Sequence, residues 1–485
     1  MKHTLAFLFF LQLSYTGKAQ LYDAQWVTGP NTSILDFRTA DTVLLSNQPQ
    51  DMPMEATNAS ICDENGNLLF YSNGIYIADR NGDTVLNGSN LSPCVYTDYK
   101  YYVGININQG ALFIPKPGSN DIYYLFHFSN DTFNYARPAT LYYSVIDKNA
   151  IFGLGLVISK NNVFGKGAYR EGGFTACKHA NGRDYWLVMG QSSNNTFEKY
   201  LLTPDTILGP FLQSIGPPYL PPYDIAYSKF SLDGSRYATV TYEGYLLVLD
   251  FDRCTGEFSN PLPIYNNIST QPVTQPLSGG ESLEFSPNGQ YIYVEARLTI
   301  VQYDLLATNV QDSVIVYRSD SNDQAQISYL QRGPNGKIYC STWNGGYYFL
   351  HVINKPDEKG DSCEFVYAGQ PTLSLNSMNL PNLINYRLGP LAGSGCDTIS
   401  GIGGLHEERR ELIISPNPAS TDVSISVPLY LKDARITIID AQGKTILQEP
   451  FYLTHHYNCS NWPAGTYFVT VTDGRKSYTG KVVKQ

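Results

Sequence analysis

Residues 283–296 read LEFSPNGQYIYVEA: a short apolar run, an Asn-Gly pair, then an alternating aromatic run. The same pattern returns as SICDENGNLLFYSNG (60–74), TACKHANGRDYWLVMG (175–190), SKFSLDGSRYATVT (228–241) and LQRGPNGKIYCSTW (330–343), and ALFIPKPGSNDIYYLFHF (111–128) is a variant with a Gly-Ser-Asn-Asp turn. A tight hairpin needs positive φ at its centre, which Asn-Gly supplies at little steric cost. Each copy is therefore predicted to be one hairpin.

A second element follows each copy, as in GIYIADRNGDTVLNG (74–88), YLLVLDFDRCTGEFS (245–259) and YFLHVINKPDEKGDSCEFV (348–366). Each reads as a strand, a polar turn and another strand, so one repeat holds a four-stranded antiparallel sheet. The turns fall near residues 66, 119, 182, 234, 289 and 336, at spacings of 47 to 63 residues. That period suits a propeller blade. A lone sheet of this kind cannot bury both faces, so blades stack radially around a channel. The expected fold class is all-β: a β-propeller over residues 20–390 with about seven four-stranded blades, within a range of six to eight. Six blades are visible, and the seventh is expected from residues 22–50 joined by a late strand at PNLINYRL (381–388).

The composition agrees, with 38 Tyr, 41 Gly and 28 Pro among 485 residues and only 16% charged, which favours strands and turns over helices. The first residues, MKHTLAFLFFLQLSYTGKA, place Lys2 ahead of an apolar core from Leu5 to Leu13 and small residues at Gly17 and Ala19. This is the pattern of a secretory signal peptide (1–19) cut between Ala19 and Gln20. No other stretch approaches the length of a membrane-spanning helix, so an exported protein without a transmembrane segment is expected. A net charge of −10 offers no basic stripe to a phosphate backbone, which argues against nucleic acid. Among eight cysteines, Cys177, Cys340 and Cys459 lie in strand-like surroundings and read as buried thiols, while Cys363 and Cys396 are the first candidates for a disulfide.

From Glu411 the texture changes. VSISV (423–427), ARITIID (434–440) and TYFVTV (466–471) alternate like half-buried strands, and Asp440–Gly443 and Asp473–Gly474 supply turns. A small immunoglobulin-like β-sandwich of about seven strands is expected over 411–485, its last ten residues forming an edge strand. Residues 391–410, rich in Gly and Ser, read as a flexible linker.

Two resemblances rest on these residues. The ordered motifs LDFRTADTVLLS (35–46), SICDENGNLLFYSNG, CKHANGRDYWLV, FSPNGQYIYV and NLPNLINY resemble the N-terminal propeller of gliding-motility-associated surface proteins of the Bacteroidota, over residues 22–390. The C-terminal stretch resembles the type A sorting domain of the type IX secretion system. It carries Pro416-Asn417-Pro418, Asp440 with Gly443, Pro463 and Gly465 with Tyr467, and the basic end from Lys481 to Lys484. This resemblance implies partners in the secretion machinery and its sorting protease, and a secreted or surface-attached product that has crossed the periplasm.

The search for chemistry returns less. Gly-x-Ser-x-Gly, His-Glu-x-x-His and Cys-x-x-Cys do not occur. His127, His179 and His351 lie in strand or hairpin segments, and Gly443-Lys444-Thr445 lacks the first glycine of a phosphate loop. Asp63, Asn65 and Asn67, like Asp79, Asn81 and Asp83, have the spacing that opens a calcium loop but not its later ligands, so hairpin turns explain both. Glu281, Glu284 and Glu295 share one blade and are the carboxylates available to a glycosidase. YTDYKYY (96–102) offers aromatic faces to a sugar or a protein. The expectation is a non-catalytic interaction or scaffold module with no cofactor, no metal and an unknown surface glycan or protein ligand. The alternative is a propeller hydrolase or lyase acting on glycans or peptides.

Overall fold

The computed structural model describes residues 20–397 and 410–485, except 31, 40–42, 49–51, 55, 131–138, 218–224, 242–244, 266–281, 297–298, 320–324, 343–345, 377–379, 428–433, 442–443, 452–453 and 473–476. The proposed signal peptide thus lies outside the described residues, as do Glu281 and Gly443. The chain divides into two compact units, Met1–Ile399 and Ser400–Gln485.

Among the described residues of the first unit, seven antiparallel sheets follow one another, each with its strands side by side in chain order. Their first strands are Gln25–Thr28, Ala59–Cys62, Ala111–Pro115, Thr175–Lys178, Ala226–Phe230, Ser282–Phe285 and Ile327–Arg332. The third to seventh sheets have four strands, and the first two have three among the described residues. The six hairpins read from the sequence are the first two strands of the second to seventh sheets. Neighbouring first strands are tied together: Asn58 Nδ2 donates to Val27 O (2.9 Å), and Leu330 N to Ser282 Oγ (2.8 Å). The arrangement is a β-propeller. Burial falls outward, from a first strand buried throughout (Thr175–Lys178) to a fourth strand that is mostly exposed (Ile207–Ser214).

The ring closes differently from the expectation. Residues 381–388 form no strand, and among the described residues the first sheet is built from Gln25–Thr28, Ser33–Asp36 and Leu44–Asn47. It meets the seventh sheet through side chains: buried Trp26 and Phe37 pack on Tyr339 at ring separations of 5.6 and 5.3 Å, and Leu373 N donates to Ser33 Oγ (3.3 Å). Burying aromatics of this size contributes roughly 1.5–3 kcal/mol each, enough to join chain ends without a shared sheet.

The turns also differ in type. Gly66, Gly234 and Gly289 have φ of 87°, 74° and 70°, whereas Asn65, Asp233 and Asn288 are not in the positive-φ region. Gly66 N donates to Asp63 O (3.0 Å) and Asp63 N to Asn67 O (2.8 Å). This is a type I turn followed by a bulged glycine, the three-residue hairpin loop, in which only glycine needs positive φ. Asp63 Oδ1 accepts the amides of Asn65 and Asn67 (2.9 Å each), and Asp79 Oδ1 those of Asn81 and Asp83 (2.7 and 3.2 Å). The spacing that suggested a calcium loop is thus the spacing of a carboxylate bracing its own turn.

Cys396 is bonded to Cys254, 142 residues away, so the expected Cys363–Cys396 bridge is wrong. Cys363 is a buried free thiol packed with Tyr293, Cys340 and Ile353. Cys177, Cys340 and Cys459 are also buried free thiols. The first part of the expected linker is anchored: Leu391 N donates to Ala180 O (2.8 Å), Pro390 bridges Asn181, and the disulfide follows.

The second unit packs a five-stranded sheet on a three-stranded one, eight strands where about seven were expected. Its core gathers Val423, Ile425, Ile436, Ile438, Val469, Val471, Tyr478 and Val482. The last strand, Ser477–Lys484, lies between Gly465–Thr472 and the short strand Arg410–Glu411. It is therefore not an edge strand: Tyr478 and Val482 on it are fully buried, and removing it would open the core.

Two turns separate strain from crowding. A Cβ at Gly289 would meet nothing within 4 Å, whereas one at Gly234 would lie 2.7 Å from Cys177 Sγ and 2.9 Å from Arg253 Cδ. Gly289→Ala should cost about 1–2 kcal/mol, the strain of a left-handed alanine, and Gly234→Ala should cost more. Urea midpoints of the two variants check the order, and equal midpoints would contradict it.

Candidate functional site

A propeller channel is lined by the unpaired inner edges of its first strands, whose carbonyl groups must find donors if they are buried. Here they find them on one segment of the same chain. Residues 380–391 leave the seventh sheet and run down the channel from the end where the first strands start to the end where they finish. At the entry Asn382 N donates to Asn58 O (2.9 Å), and Asn382 Nδ2 to Ala111 O (3.2 Å) and Phe174 O (3.3 Å). Gln109 completes this junction, donating to Asn382 Oδ1 (3.3 Å) and Ser228 O (2.9 Å) and accepting Gly173 N and Ser228 N (2.9 Å each). Lower down, Tyr386 Oη donates to Phe113 O (2.8 Å) and Asn385 Nδ2 to Leu232 O (2.6 Å). Arg253 receives the segment at the exit, donating to Gly389 O (2.7 Å) and Lys178 O (2.9 Å).

Two buried lysines hold the segment's own carbonyls. Lys178 Nζ donates to Tyr386 O (2.9 Å) and Gln20 Oε1 (3.0 Å), and Lys229 Nζ to Leu383 O (3.2 Å) and Gln331 Oε1 (2.6 Å). Burial pushes both ammonium groups down to about 8; the pull of Glu284 on Lys229 opposes this without cancelling it.

Beside the segment, near the exit, lies a cavity of about 170 Å³ whose charged walls are Asp23, Lys229, Glu284, Arg332 and Arg387. Arg387 Nη1 pairs with Asp23 Oδ2 at 2.5 Å. Glu284 accepts Phe285 N and Arg332 N at 3.0 Å each, and the Arg332 guanidinium stands 3.8 Å from it. Asp23 is only 8% exposed, and its Oδ1 has no hydrogen-bond partner among the described residues. Burial raises its pKa despite Arg387.

Of the carboxylates and histidines singled out in the sequence, Glu284 alone among the described residues lines this cavity. Glu295 is buried on the adjacent strand, opposite Ser282. The three histidines belong to three different sheets. His127 is fully buried between Ser92 Oγ (2.7 Å) and Ser144 Oγ (3.0 Å), and burial pushes its pKa down to about 3. His179 Nε2 meets Cys254 O (2.9 Å), and His351 packs among Tyr317, Phe365 and Tyr367. Among the described residues no cluster of three His, Cys, Asp or Glu could hold a metal ion. Within YTDYKYY, Tyr99, Tyr101 and Tyr102 are exposed, Tyr102 by 83%.

In the second unit Asn417, Gly465 and Tyr467 of the sorting motif meet the last strand, while Asp440 lies on another hairpin. Asn417 Nδ2 donates to Lys481 O (2.6 Å) and its Oδ1 accepts Val483 N (2.8 Å), while Ala419 N donates to Val483 O (2.8 Å). The Pro416-Asn417-Pro418 loop thus clamps the chain end. Asp440 Oδ1 accepts Lys444 N (2.9 Å) and closes its hairpin. Tyr467 Oη donates to Pro463 O (2.7 Å), its ring packs on Trp462, and Gly465 pairs with Lys484.

Lys229 gives the channel a pH signature. Between about pH 8 and 10.5 the unfolded chain still holds a proton that folded Lys229 has released, so this group makes stability rise with pH across that window. Lys229→Met removes this dependence. The stability of the wild type relative to the variant should increase by about 1–2 kcal/mol from pH 7.5 to 9.5 in urea titrations, and parallel profiles would contradict the burial of a titrating lysine.

Residues 414–485 match the family described as the secretion system C-terminal sorting domain. No curated protein matches the chain. Among solved structures, the chain is similar to a candidate 6-phosphogluconolactonase from Bacteroides uniformis (13% identity, TM-score 0.43, 73% of this chain and 98% of that one). It is also similar to the periplasmic gluconolactonase PpgL of Pseudomonas aeruginosa (13%, 0.41, 75% and 97%) and to the β-propeller domain of Myceliophteria thermophila Cps50 (8%, 0.38, 67% and 93%). At these TM-scores the likenesses decide neither the fold nor an activity; the sheet order above carries the fold. No helix among the described residues is long and apolar enough to cross a membrane. The C-terminal match gives the chain its route: it is type IX secretion cargo, delivered to the cell surface or released.

Proposed function

We propose that the propeller is a non-catalytic interaction or scaffold module, carried to the cell exterior by its C-terminal sorting unit. The observation that carries this reading is the filled channel. Most of the space around a propeller's axis, where side chains from separate blades can converge on a substrate, is taken by residues 380–391, and Asn382, Tyr386, Lys178 and Lys229 are engaged in holding that segment. Glu284 is engaged by two backbone amides and Asp23 by Arg387. Contact surface is available on the outside, where exposed Tyr99, Tyr101 and Tyr102 present the amphipathic rings that favour protein and sugar contacts. The resemblance of residues 22–390 to gliding-motility-associated surface propellers points to the same class of role. In the sorting unit, the loop Pro416-Asn417-Pro418 and the chain end Lys481–Lys484, clamped together, form the surface that the secretion machinery reads.

The test uses residues 20–397, which keep Cys396 and its disulfide, on glycan and peptide arrays beside chromogenic glycosides and peptides. Saturable binding without product, weakened at least tenfold by Tyr101→Ala with Tyr102→Ala, is the expected result. Turnover of an array ligand would overturn the non-catalytic reading.

A further inference from the structure

The cavity beside the channel segment has a composition that selects a ligand. Its volume of about 170 Å³ compares with the roughly 150 Å³ that accommodates benzene, so it suits a molecule of about six to eight non-hydrogen atoms. Three cations, Lys229, Arg332 and Arg387, face two anions, Asp23 and Glu284, which leaves one positive charge uncompensated. Burying such a charge is costly unless an anion joins it.

The donors and acceptors narrow the choice. Lys229 uses two of its three N–H groups, on Gln331 and Leu383. The side-chain contacts of Arg332 are long, 3.5 Å to Phe285 O and 3.8 Å to Glu284. Both side chains can therefore receive a carboxylate. Asp23 Oδ1, buried and without a partner among the described residues, needs a donor, which a simple carboxylate lacks. An amino acid would supply an ammonium group but, being neutral overall, would leave the surplus charge in place.

We propose that this cavity binds a small hydroxylated monocarboxylate, its carboxylate on Arg332 and Lys229 and a hydroxyl donating to Asp23 Oδ1. The proposal deepens the interaction-module reading, since it makes the cavity beside the channel segment a ligand-holding site with no reaction in it.

The test uses the chain from residue 20 to 485, titrated calorimetrically with glycerate, with propionate (no hydroxyl) and with glycerol (no charge). Glycerate should give a saturable one-to-one isotherm, with the two controls at least tenfold weaker. Arg332→Gln and Asp23→Asn should each weaken glycerate at least tenfold. Because Asp23→Asn also deprives Arg387 of its partner and risks misfolding, a crystal of the wild-type protein grown with glycerate supplies the second measurement. Density between Asp23 and Arg332 supports the site. Equal binding of glycerate and propionate, no binding, or density elsewhere overturns it while leaving the non-catalytic reading intact. Conversion of bound glycerate into a product would uphold the site and overturn that reading instead.

Discussion

The first strands of this propeller turn unpaired backbone edges toward a common axis, and everything near that axis follows from the need to satisfy them. A buried carbonyl without a donor costs about 1–3 kcal/mol, and a ring of sheets presents several. Asn382 alone bonds the second, third and fourth sheets, and Asn385, Tyr386, Lys178 and Lys229 continue the pairing toward the exit. Asparagine suits the entry because its amide both donates and accepts. The buried lysines suit the lower levels because each can reach a segment carbonyl and a side-chain amide at once, at the expense of a depressed pKa.

That constraint also orders the chain. The channel segment begins after the seventh sheet is complete and ends at the Cys254–Cys396 disulfide, ahead of the residues that match a sorting domain. A disulfide closing a loop this long limits the unfolded state considerably, and it does so at the point where the segment leaves the channel. Oxidation of this pair belongs to a chain that has reached an oxidising compartment, in keeping with export.

Much of this was legible in the sequence where the signal is local. Six hairpins announced themselves by a glycine turn between two apolar runs, and the sorting unit by ordered motifs at the chain end. What was not legible depends on partners far apart in sequence. PNLINYRL reads as the late strand that a closed ring would need, but its Asn382, Asn385 and Tyr386 bond backbone groups roughly 150 to 320 residues away, which leaves no periodicity. Asp23, Lys229, Arg332 and Arg387 were missed for the same reason, since each is an ordinary charge until the ring closes. The cysteine pairing failed because proximity in sequence favoured Cys363, whereas the path of residues 389–396 along the 179–181 turn delivers Cys396 to Cys254. The turn glycines were found, but the turn type was not: the same Asn-Gly pair serves a two-residue loop or a bulged three-residue one.

Amide hydrogen exchange of residues 380–391 is the most direct measurement of the central claim, that the chain fills its own channel. The amides of Asn382, bonded to Asn58 O, and of Leu391, bonded to Ala180 O, should exchange only with the opening that frees first-strand amides such as those of the fourth and fifth sheets, because all sit in one cooperative core. Exchange of this segment within seconds, while the first strands stay protected, would mean that it lies outside a channel that is open, and the account of the fold's centre would be wrong.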